Sequence, residues 1–238
     1  MVNQNKIIEM FNQIAPTYDR ANRLISFGID MSWRKEAVST ILAKFINKDL
    51  SIADVACGTG DMMKLWSDMS KGYNANLTRL VGIDPSKGML DVAREKHKDF
   101  EFILGNAGHT TLEDKSMDVV SISYGIRNVV ERVKGLEEFN RVLKVDGYLV
   151  VLEFARPKKS GLIGRARDFY ISNILPKIGG MVSKNKEAYE YLPNSIDGFL
   201  DKESFIKELK NSGFEVELAK SYSFDVSTLF VAKKVRDL

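Results

Sequence analysis

Apolar runs in the middle of the chain alternate with segments of helical length, and this alternation constrains the fold more than any other feature. The runs are 51–56, 79–84, 100–105, 117–123 and 147–154. Helices are predicted between them near 61–70, 86–97 and 131–144. Strands that are buried on both faces read as continuous apolar runs, and helical connections join them in parallel. The pattern therefore predicts an α/β fold with a mostly parallel sheet and right-handed crossovers.

The segments outside this alternation are expected to flank the sheet within a single domain. Amphipathic helical spacing occurs at 3–14 and at about 32–46. Near the end of the chain, a helix at 201–212 precedes strand patterns at 214–220 and 225–233, whose short link predicts an antiparallel hairpin. We divide the chain accordingly into an N-terminal helical lid (1–48), a cofactor-binding core (49–156), a helical cap insertion (157–200) and a C-terminal helix with an edge hairpin (201–238).

Composition excludes several classes of protein. The net charge of +3 is too small to indicate a nucleic-acid partner, although its sign suits a weak preference for anionic membranes. Cys57 is the single cysteine, so neither a disulfide nor a cysteine-based metal site can form within the chain, and we expect no metal. We find no secretory signal and no apolar run of the roughly 18–20 residues that span a bilayer. These observations predict a cytoplasmic protein.

The glycine loop in "IADVACGTGD" (52–61) follows the first predicted strand, where phosphate-binding loops are often found. A dinucleotide fingerprint would need a third glycine at position 63, which is Met63. A Walker loop would need Gly-Lys-Ser/Thr, which is also missing. The loop therefore does not have the pattern of a phosphate site, and an NAD-dependent oxidoreductase is disfavoured.

The remaining pattern is typical of a cationic ligand without phosphate. Small residues such as Gly58 and Gly60 let the backbone approach a ligand closely, while Asp54 and Asp61 would attract a positive charge. S-adenosylmethionine carries an ammonium and a sulfonium, so it meets this description. Asp84 ends the next strand and is expected to accept hydrogen bonds from a ribose.

Asn106, after the third strand, could bond the adenine edge, so that three consecutive strands end in ligand-type residues. The alternative is a turn that merely needs glycines, with Asp84 as an acid at a helix N-terminus.

The chain resembles the demethylmenaquinone and 2-polyprenyl-6-methoxybenzoquinol C-methyltransferases over nearly its whole length. The segments that carry the resemblance are "MFNQIAPTYDRANRLISFGIDMSWR" (10–34), "DVACGTGD" (54–61), "GIDPSKGML" (82–90), "GNA" (105–107), "ISYGIRNV" (122–129), "RVLKVDGYLVVLEFARP" (141–157) and "FYISNILPKIGGMVSKNKEAYEYLPNSI" (169–196). The resemblance implies a Rossmann-like, seven-stranded class I methyltransferase sheet with an antiparallel C-terminal hairpin. It also implies cofactor contacts at Thr59, Asp84, Asn106, Ala107 and Ser123.

The sequence departs from this family in three places. Cys57 stands where a second glycine is usual, and Val145-Asp146 stands where Pro-Gly is usual. The last strand pattern, "SFDVSTLFVAKK" (223–234), lacks the usual glycines and histidine, which would alter the rim of the substrate pocket.

The reaction that the resemblance implies is methyl transfer to a ring carbon of a polyprenyl quinol. The carbon becomes nucleophilic when a ring hydroxyl loses its proton, so the site needs a route for that proton. In the family, the arginine matching Arg127 is thought to position a water as proton acceptor, with Asn128 assisting. An arginine also stabilises developing phenolate charge. The alternative for Arg127 is a surface salt bridge.

Four further residues are implied as substrate contacts because their segments are expected to cover the site. They are Tyr18 and Asp19 in the lid, and Tyr189 and Tyr191 in the cap. The alternative for each tyrosine is ordinary packing. The mixed apolar and basic segment 160–182 is expected to form a wall for the polyprenyl tail with weak membrane contact.

Other functions were weighed beside a role in menaquinone, or also ubiquinone, biosynthesis. A nucleic-acid methyltransferase would need a basic stripe, whereas the positive residues here alternate with acids. A methyltransferase for another small molecule and a non-catalytic interaction protein are the remaining alternatives. We favour demethylmenaquinol as the substrate, and the sequence leaves open a homodimer through the cap and a peripheral position at the inner face of the membrane.

Overall fold

The strands of the chain assemble into a single twisted sheet. The structure is a computed structural model that describes residues 3–156, 164, 169–174, 180 and 185–238. Within these residues the strands are β1 (Asp49–Val55), β2 (Asn76–Asp84), β3 (Glu101–Leu104), β4 (Met117–Ser123), β5 (Leu143–Glu153), β6 (Phe214–Tyr222) and β7 (Ser227–Lys234). Their order across the seven-stranded sheet is β3-β2-β1-β4-β5-β7-β6.

Strand direction matches the sequence prediction. β1 to β5 run parallel, and β7 inserts antiparallel between β5 and β6. The predicted fold class, a mostly parallel sheet with an antiparallel C-terminal hairpin, is therefore confirmed. The strand order reverses between β1 and β4, and an open sheet of this kind binds ligands at the carboxyl ends of the strands beside such a reversal.

Helices cover both faces of the sheet and its carboxyl edge. They are α1 (Gln4–Ile14), α2 (Tyr18–Ser26), α3 (Ile29–Leu42), α4 (Asp61–Ser70), α5 (Lys87–Lys96), α6 (Arg132–Val142), α7 (Lys186–Asp197) and α8 (Lys202–Asn211). Helix α8 is capped at both ends, since the Asp201 carboxylate accepts from the Ser204 N–H at 2.8 Å and Gly213, just after the helix, has a φ of +81°. None of the described helices is long and apolar enough to cross a membrane.

Buried apolar side chains form two layers, one on each face of the sheet, between the strands and the helices. Alternate residues of each strand enter opposite layers, as the two-residue period of a strand requires. Val120 and Ile122 of β4 pack with Phe139 of α6 on one face, whereas Val119 packs with Trp66 of α4 on the other. This double burial explains why the parallel strands read as continuous apolar runs.

The predicted cap, 157–200, falls partly outside the described residues. Within the cap, the described part includes the helical turn Tyr170–Ile174 and α7. The side chain of Tyr189 is not among the described ones, so its predicted contact with substrate stays a prediction. Most of segment 160–182, the predicted wall for the tail, lies outside the described residues in the same way.

Candidate active site

The glycine loop after β1 is held in a left-handed conformation and bonded to the next strand. Ala56, Gly58 and Gly60 have φ values of +52°, +56° and +88°. The Gly58 N–H donates to the carboxylate of Asp84 at 2.9 Å, and the same carboxylate accepts from the Ser86 N–H at 2.8 Å. Asp84 therefore fixes the loop against the end of β2, which leaves the Gly58 backbone facing an open crevice.

A first cavity of about 450 Å³ lies at the carboxyl ends of β1, β2 and β4. The sequence-predicted residues that line it are Gly58, Asp84, Asn106, Ala107, Ser123 and Asn128. Its other walls come from the N-terminal helices, including Phe11 and Tyr18. A fold that brings three strand ends and a helical cover around one cavity is arranged to enclose a ligand.

The side chain of Asp54 does not line this cavity. It is buried behind the loop, where it accepts a hydrogen bond from the Ser121 hydroxyl at 2.6 Å, and the Trp66 indole N–H donates to Ser121 at 3.1 Å. Burial raises the pKa of Asp54 to about 7. The Asp54 carboxylate is thus bonded to Ser121 within the core, and its predicted role in attracting a cofactor stays a prediction.

Thr59 and Gly60 are not part of the lining of the first cavity. The Thr59 hydroxyl donates to Asp19 of α2 at 2.5 Å. A Cβ atom added to Gly60 would lie 2.8 Å from the His97 ring, so this glycine permits close packing of the loop on α5. Cys57 and Met63 pack together in a small buried cluster on the same side.

The charged residues of the loop and of α2 bind one another. Asp61, which we expected to attract the cationic ligand, forms ion pairs with Arg23 and, at 3.2 Å, with Lys96. Asp19 accepts from Thr59 and pairs with Lys96 at 2.8 Å. Asp19 lines neither of the two cavities described here, and its carboxylate fastens α2 to the core; its contact with substrate stays a prediction.

A second cavity of about 360 Å³ adjoins the first and has mainly apolar walls. Phe11, Tyr18 and Tyr124 line both cavities and form the partition between them. Burial raises the pKa of Tyr18, so its hydroxyl stays protonated at neutral pH. Arg127 and Tyr191, two residues that the sequence singled out, also line the second cavity.

Arg127 is held by a buried ion pair. Its Nη1 donates to the Glu153 carboxylate at 2.7 Å and to the Tyr124 carbonyl oxygen at 2.8 Å, and its Nε donates to the Ser195 hydroxyl at 3.2 Å. The side chains of Arg127 and Glu153 are 6% and 0% exposed. The alternative of a surface salt bridge is therefore wrong. Among the described residues, Arg127 Nη2 has no protein acceptor.

Asn128 and Tyr191 form a hydrogen bond that connects the two cavities. Asn128 lines the first cavity, and its side-chain oxygen accepts from the Tyr191 hydroxyl, which belongs to the second cavity, at 3.0 Å. Arg127 and Asn128 thus lie beside the passage between the cavities, on a short 3₁₀ turn after β4.

Sequence reasoning did not identify Glu153 or Ser195 as parts of the site. Glu153 ends β5 in the run "LVVLEF" (149–154), and an acid inside a buried strand is a detectable signal because a buried carboxylate needs a charged or hydrogen-bonding partner. Ser195 on α7 carried no such signal.

Comparison with known proteins decides which family the chain belongs to. Residues 1–234 match the ubiE/COQ5 methyltransferase family. The chain belongs to this family. A Campylobacter jejuni protein named ubiquinone/menaquinone biosynthesis C-methyltransferase UbiE is 60% identical to this methyltransferase over 235 residues, which cover 99% of this chain and 100% of that protein. A demethylmenaquinone methyltransferase of Chlorobaculum tepidum is 40% identical and covers 97% of this chain and 93% of its own.

Solved structures agree on the fold of this methyltransferase. A SAM-dependent methyltransferase of Thermotoga maritima superposes with a TM-score of 0.63 at 19% identity, covering 97% of this chain and 100% of that one. A SAM-dependent methyltransferase of Aquifex aeolicus gives 0.58 at 18% identity over 83% of this chain and 89% of that one. The enzyme is a class I methyltransferase, and S-adenosylmethionine is its methyl donor.

The first cavity of this methyltransferase has groups that fit that donor. Burial raises the pKa of Asp84 to about 6, so the carboxylate is mainly ionised at pH 7. It accepts two backbone N–H groups and has room for further donors, such as ribose hydroxyls. The Ser123 hydroxyl oxygen is buried at the cavity wall and has no hydrogen-bond partner among the residues that the structure describes, so a ligand could satisfy it.

Proposed function

We propose that this methyltransferase transfers a methyl group to a ring carbon of demethylmenaquinol, a polyprenylated hydroquinone. The observation that carries the proposal is the pair of cavities that meet at Tyr18, one with a carboxylate and an unpaired hydroxyl, the other mainly apolar. The polar cavity suits the donor and the apolar cavity suits an aromatic ring with the start of its tail. The names of the relatives at 60% and 40% identity support the substrate class.

The donor would be held by residues of the first cavity. Asp84 would accept from its ribose, the backbone at Gly58 would lie against its amino-acid part, and Asn106, Ala107 and Ser123 would line its adenine side. When bound, S-adenosylmethionine supplies an electrophilic methyl group on a sulfonium. The protein must then present a nucleophilic carbon in line with that methyl group and exclude water.

Arg127 is suited to handle the charge that forms when the quinol loses a proton. Glu153 and the Tyr124 carbonyl oxygen hold Nη1, so the guanidinium cannot turn away from the second cavity. Its remaining donors favour an anionic oxygen or orient a water that accepts the proton. Asn128 and Tyr191 form a hydrogen-bonded pair next to it and would bind a ring oxygen.

The proposed reaction is tested with the purified enzyme, methyl-labelled S-adenosylmethionine and reduced quinols that carry one isoprene unit. We expect label in menaquinol when the demethylated naphthoquinol is offered, and a smaller amount, or none, with the ubiquinone-pathway benzoquinol. Transfer to neither quinol by a folded sample that binds S-adenosylhomocysteine would contradict the proposal.

The role of Arg127 is tested by two substitutions. We expect Arg127→Ala to lower kcat by about 10²-fold or more while the affinity for S-adenosylhomocysteine changes less than about threefold, since the residue lies on the second cavity. Arg127→Lys keeps the positive charge but loses the planar guanidinium with its fixed N–H donors, so we expect partial activity. Equal losses of turnover and of cofactor affinity in both variants would instead indicate a structural role.

The remaining expectations about partners stay predictions. A long polyprenyl tail favours work at the inner face of the cytoplasmic membrane by a cytoplasmic enzyme. A homodimer through the cap depends on residues of 157–200, only part of which the structure describes.

A further inference from the structure

Arg34 is a buried cation on the wall of the second cavity that makes no hydrogen bond with the described residues. It lies on α3, its side chain is 10% exposed, and it lines the cavity together with Tyr124 and Arg127. Its Nε atom is fully enclosed and has no acceptor. An arginine side chain is always charged and has five N–H donors. Buried donors without acceptors cost free energy, so a ligand oxygen in the cavity that accepted from them would be bound tightly.

The nearest acid does not satisfy the donors of Arg34. The Asp30 carboxylate lies 3.5 Å from Nε, an ion pair without a hydrogen bond. Both oxygens of Asp30 are already used, because Arg23 pairs with Oδ2 and the Ser26 hydroxyl donates to Oδ1 at 2.7 Å. The guanidinium of Arg127, in contrast, donates to three protein oxygens. Asp30 therefore balances part of the charge of Arg34 but leaves its N–H groups without an acceptor.

Two aromatic rings hold Arg34 and Arg127 at different places on the wall of the same cavity. The guanidinium of Arg34 lies over the Tyr124 ring at 5.1 Å, and that of Arg127 lies over the Phe154 ring at 5.2 Å. The two rings are in contact, with centroids 4.6 Å apart. Burial raises the pKa of Tyr18, and the charges of both arginines oppose this rise, so both cations act on the partition between the cavities.

Tyr124, whose ring lies next to Arg34, is fixed in an unfavourable backbone conformation. Its φ is +57°, which is disfavoured for a bulky side chain. Its N–H donates to the Leu152 carbonyl oxygen at 2.7 Å, and its hydroxyl lies 3.1 Å from the Ser227 hydroxyl. Backbone strain of this kind concentrates at functional sites. The conformation places the ring at the partition between the cavities, where it supports the Arg34 guanidinium.

We propose that Arg34 binds the second oxygen of the quinol ring, which is para to the oxygen that Arg127 serves. This inference rests on the proposed function. A hydroquinone has an oxygen at each end of its ring, and each oxygen needs a partner inside a mainly apolar cavity. Loss of a proton from one oxygen activates the ring carbon beside it, whereas the para oxygen stays a hydroxyl and accepts from Arg34. Arg34 thereby orients the ring so that the activated carbon faces the methyl group.

Anaerobic calorimetry of the full chain saturated with S-adenosylhomocysteine tests the proposal. The two ligands are the one-isoprene demethylmenaquinol and its analogue in which hydrogen replaces the hydroxyl beside the prenyl-bearing carbon. We expect the wild type to bind the quinol about tenfold or more tightly than the analogue. Arg34→Met keeps a long side chain without donors and should bind the two ligands within about twofold of each other. Equal binding of both ligands by the wild type, or an unchanged preference in Arg34→Met, would overturn the proposal.

Two further variants separate ligand binding from folding. Arg132 also lies over an aromatic ring, that of Phe199 at 5.2 Å, but it lines neither of the two cavities. Arg132→Met should therefore keep the preference of the wild type for the quinol. Arg34→Lys keeps the positive charge but loses the planar guanidinium, so we expect a preference of about threefold. If Arg34→Met does not fold, Arg34→Lys decides the question, and a full wild-type preference in that variant would contradict the proposal.

Turnover distinguishes a failure of this inference from a failure of the proposed function. Arg34→Met should methylate the quinol with a higher KM and a lower kcat, while its affinity for S-adenosylhomocysteine stays that of the wild type, because Arg34 does not line the first cavity. If the wild type methylates no quinol, the proposed function fails. If the wild type methylates the quinol and Arg34→Met does so with the same kcat and KM, the proposed function stands and the role of Arg34 is wrong.

Discussion

At the scale of single residues, the buried pair between Arg127 and Glu153 gives the sharpest prediction. Glu153→Gln leaves the guanidinium charge without its partner, and breaking a buried pair costs about 3–5 kcal/mol. We expect a loss of that order in the free energy of unfolding, measured in urea, together with a lower kcat. The matched control is Glu217→Gln, a partly exposed carboxylate that pairs with Lys44 at 2.8 Å and should cost less than about 1 kcal/mol. Equal costs for both substitutions would contradict the assignment.

Asp84 predicts how cofactor affinity depends on pH. Its pKa of about 6 in the free enzyme means that the acid becomes protonated as pH falls through 6, and a protonated acid accepts ribose hydroxyls poorly. We expect the affinity for S-adenosylhomocysteine to fall about tenfold per pH unit below that value, and binding there to release one proton from Asp84. Calorimetry between pH 5 and 8 measures both.

Two variants isolate the titrating group. Asp84→Asn should bind weakly at every pH in this range, without the break near 6. Asp54→Asn should keep the break, because Asp54 lies behind the loop. If the break disappears in Asp54→Asn and persists in Asp84→Asn, the titrating group is Asp54, and the prediction for Asp84 is wrong.

Sequence could predict which residues end the strands but not where every loop side chain points. Asp84 and Ser123 line the first cavity because a strand end fixes both position and direction. Thr59 lies between Gly58 and Gly60, two glycines with positive φ, and the direction of its side chain depends on the conformation of this loop. The partners of Asp19, Thr59 and Lys96, could not be predicted because they come from distant segments.

At the scale of elements, α2 is fastened to the core by a small charge network. Arg23 pairs with Asp61, and Lys96 pairs with both Asp61 and Asp19. The paired groups are partly buried, so we expect about 1 kcal/mol from each pair. Since α2 also carries Tyr18 at the partition between the cavities, loosening it should speed cofactor exchange.

Lys96→Ala tests whether the charge network that holds α2 also controls the rate of cofactor exchange. We expect dissociation of S-adenosylhomocysteine to quicken by roughly fivefold, and amide hydrogen exchange in α1 and α2 to quicken as well. The control is Lys64→Ala, which breaks an exposed pair with Asp68 on α4 and should change neither rate. If faster amide hydrogen exchange is confined to α5, the helix that carries Lys96, then Lys96 does not hold α2 in place.

Element boundaries followed the sequence where the periodicity was clear. α4 and β4 have the predicted bounds, 61–70 and 117–123. α2 was missed because "YDRANRLIS" follows Pro16 and has few apolar residues, so its helical state depends on contacts with the core. β5 begins earlier than predicted, since the irregularity around Asp146, with a φ of +64°, interrupts the apolar run without ending the strand.

At the scale of the whole molecule, two buried carboxylates make the stability of the free enzyme depend on pH. The folded-state pKa values of Asp54 and Asp84 are about 7 and about 6, whereas both acids titrate near 4 when unfolded. The folded state thus binds more protons between these values, so the free energy of unfolding falls as pH rises from 5 to 7. Burial lowers the pKa of His97, which acts in the opposite direction near pH 6.

Asp54→Asn should remove the larger part of this slope. The wild type is expected to lose at most about 1.4 kcal/mol per pH unit through Asp54, while the variant keeps only the contributions of Asp84 and His97. Glu138 and Asp118, whose pKa values are lowered, are fully ionised above pH 5 and leave the slope unchanged. Urea unfolding at pH 5, 6.5 and 8 gives the free energy of unfolding of both proteins. If it depends on pH in the same way in the wild type and in Asp54→Asn, then Asp54 does not cause the dependence.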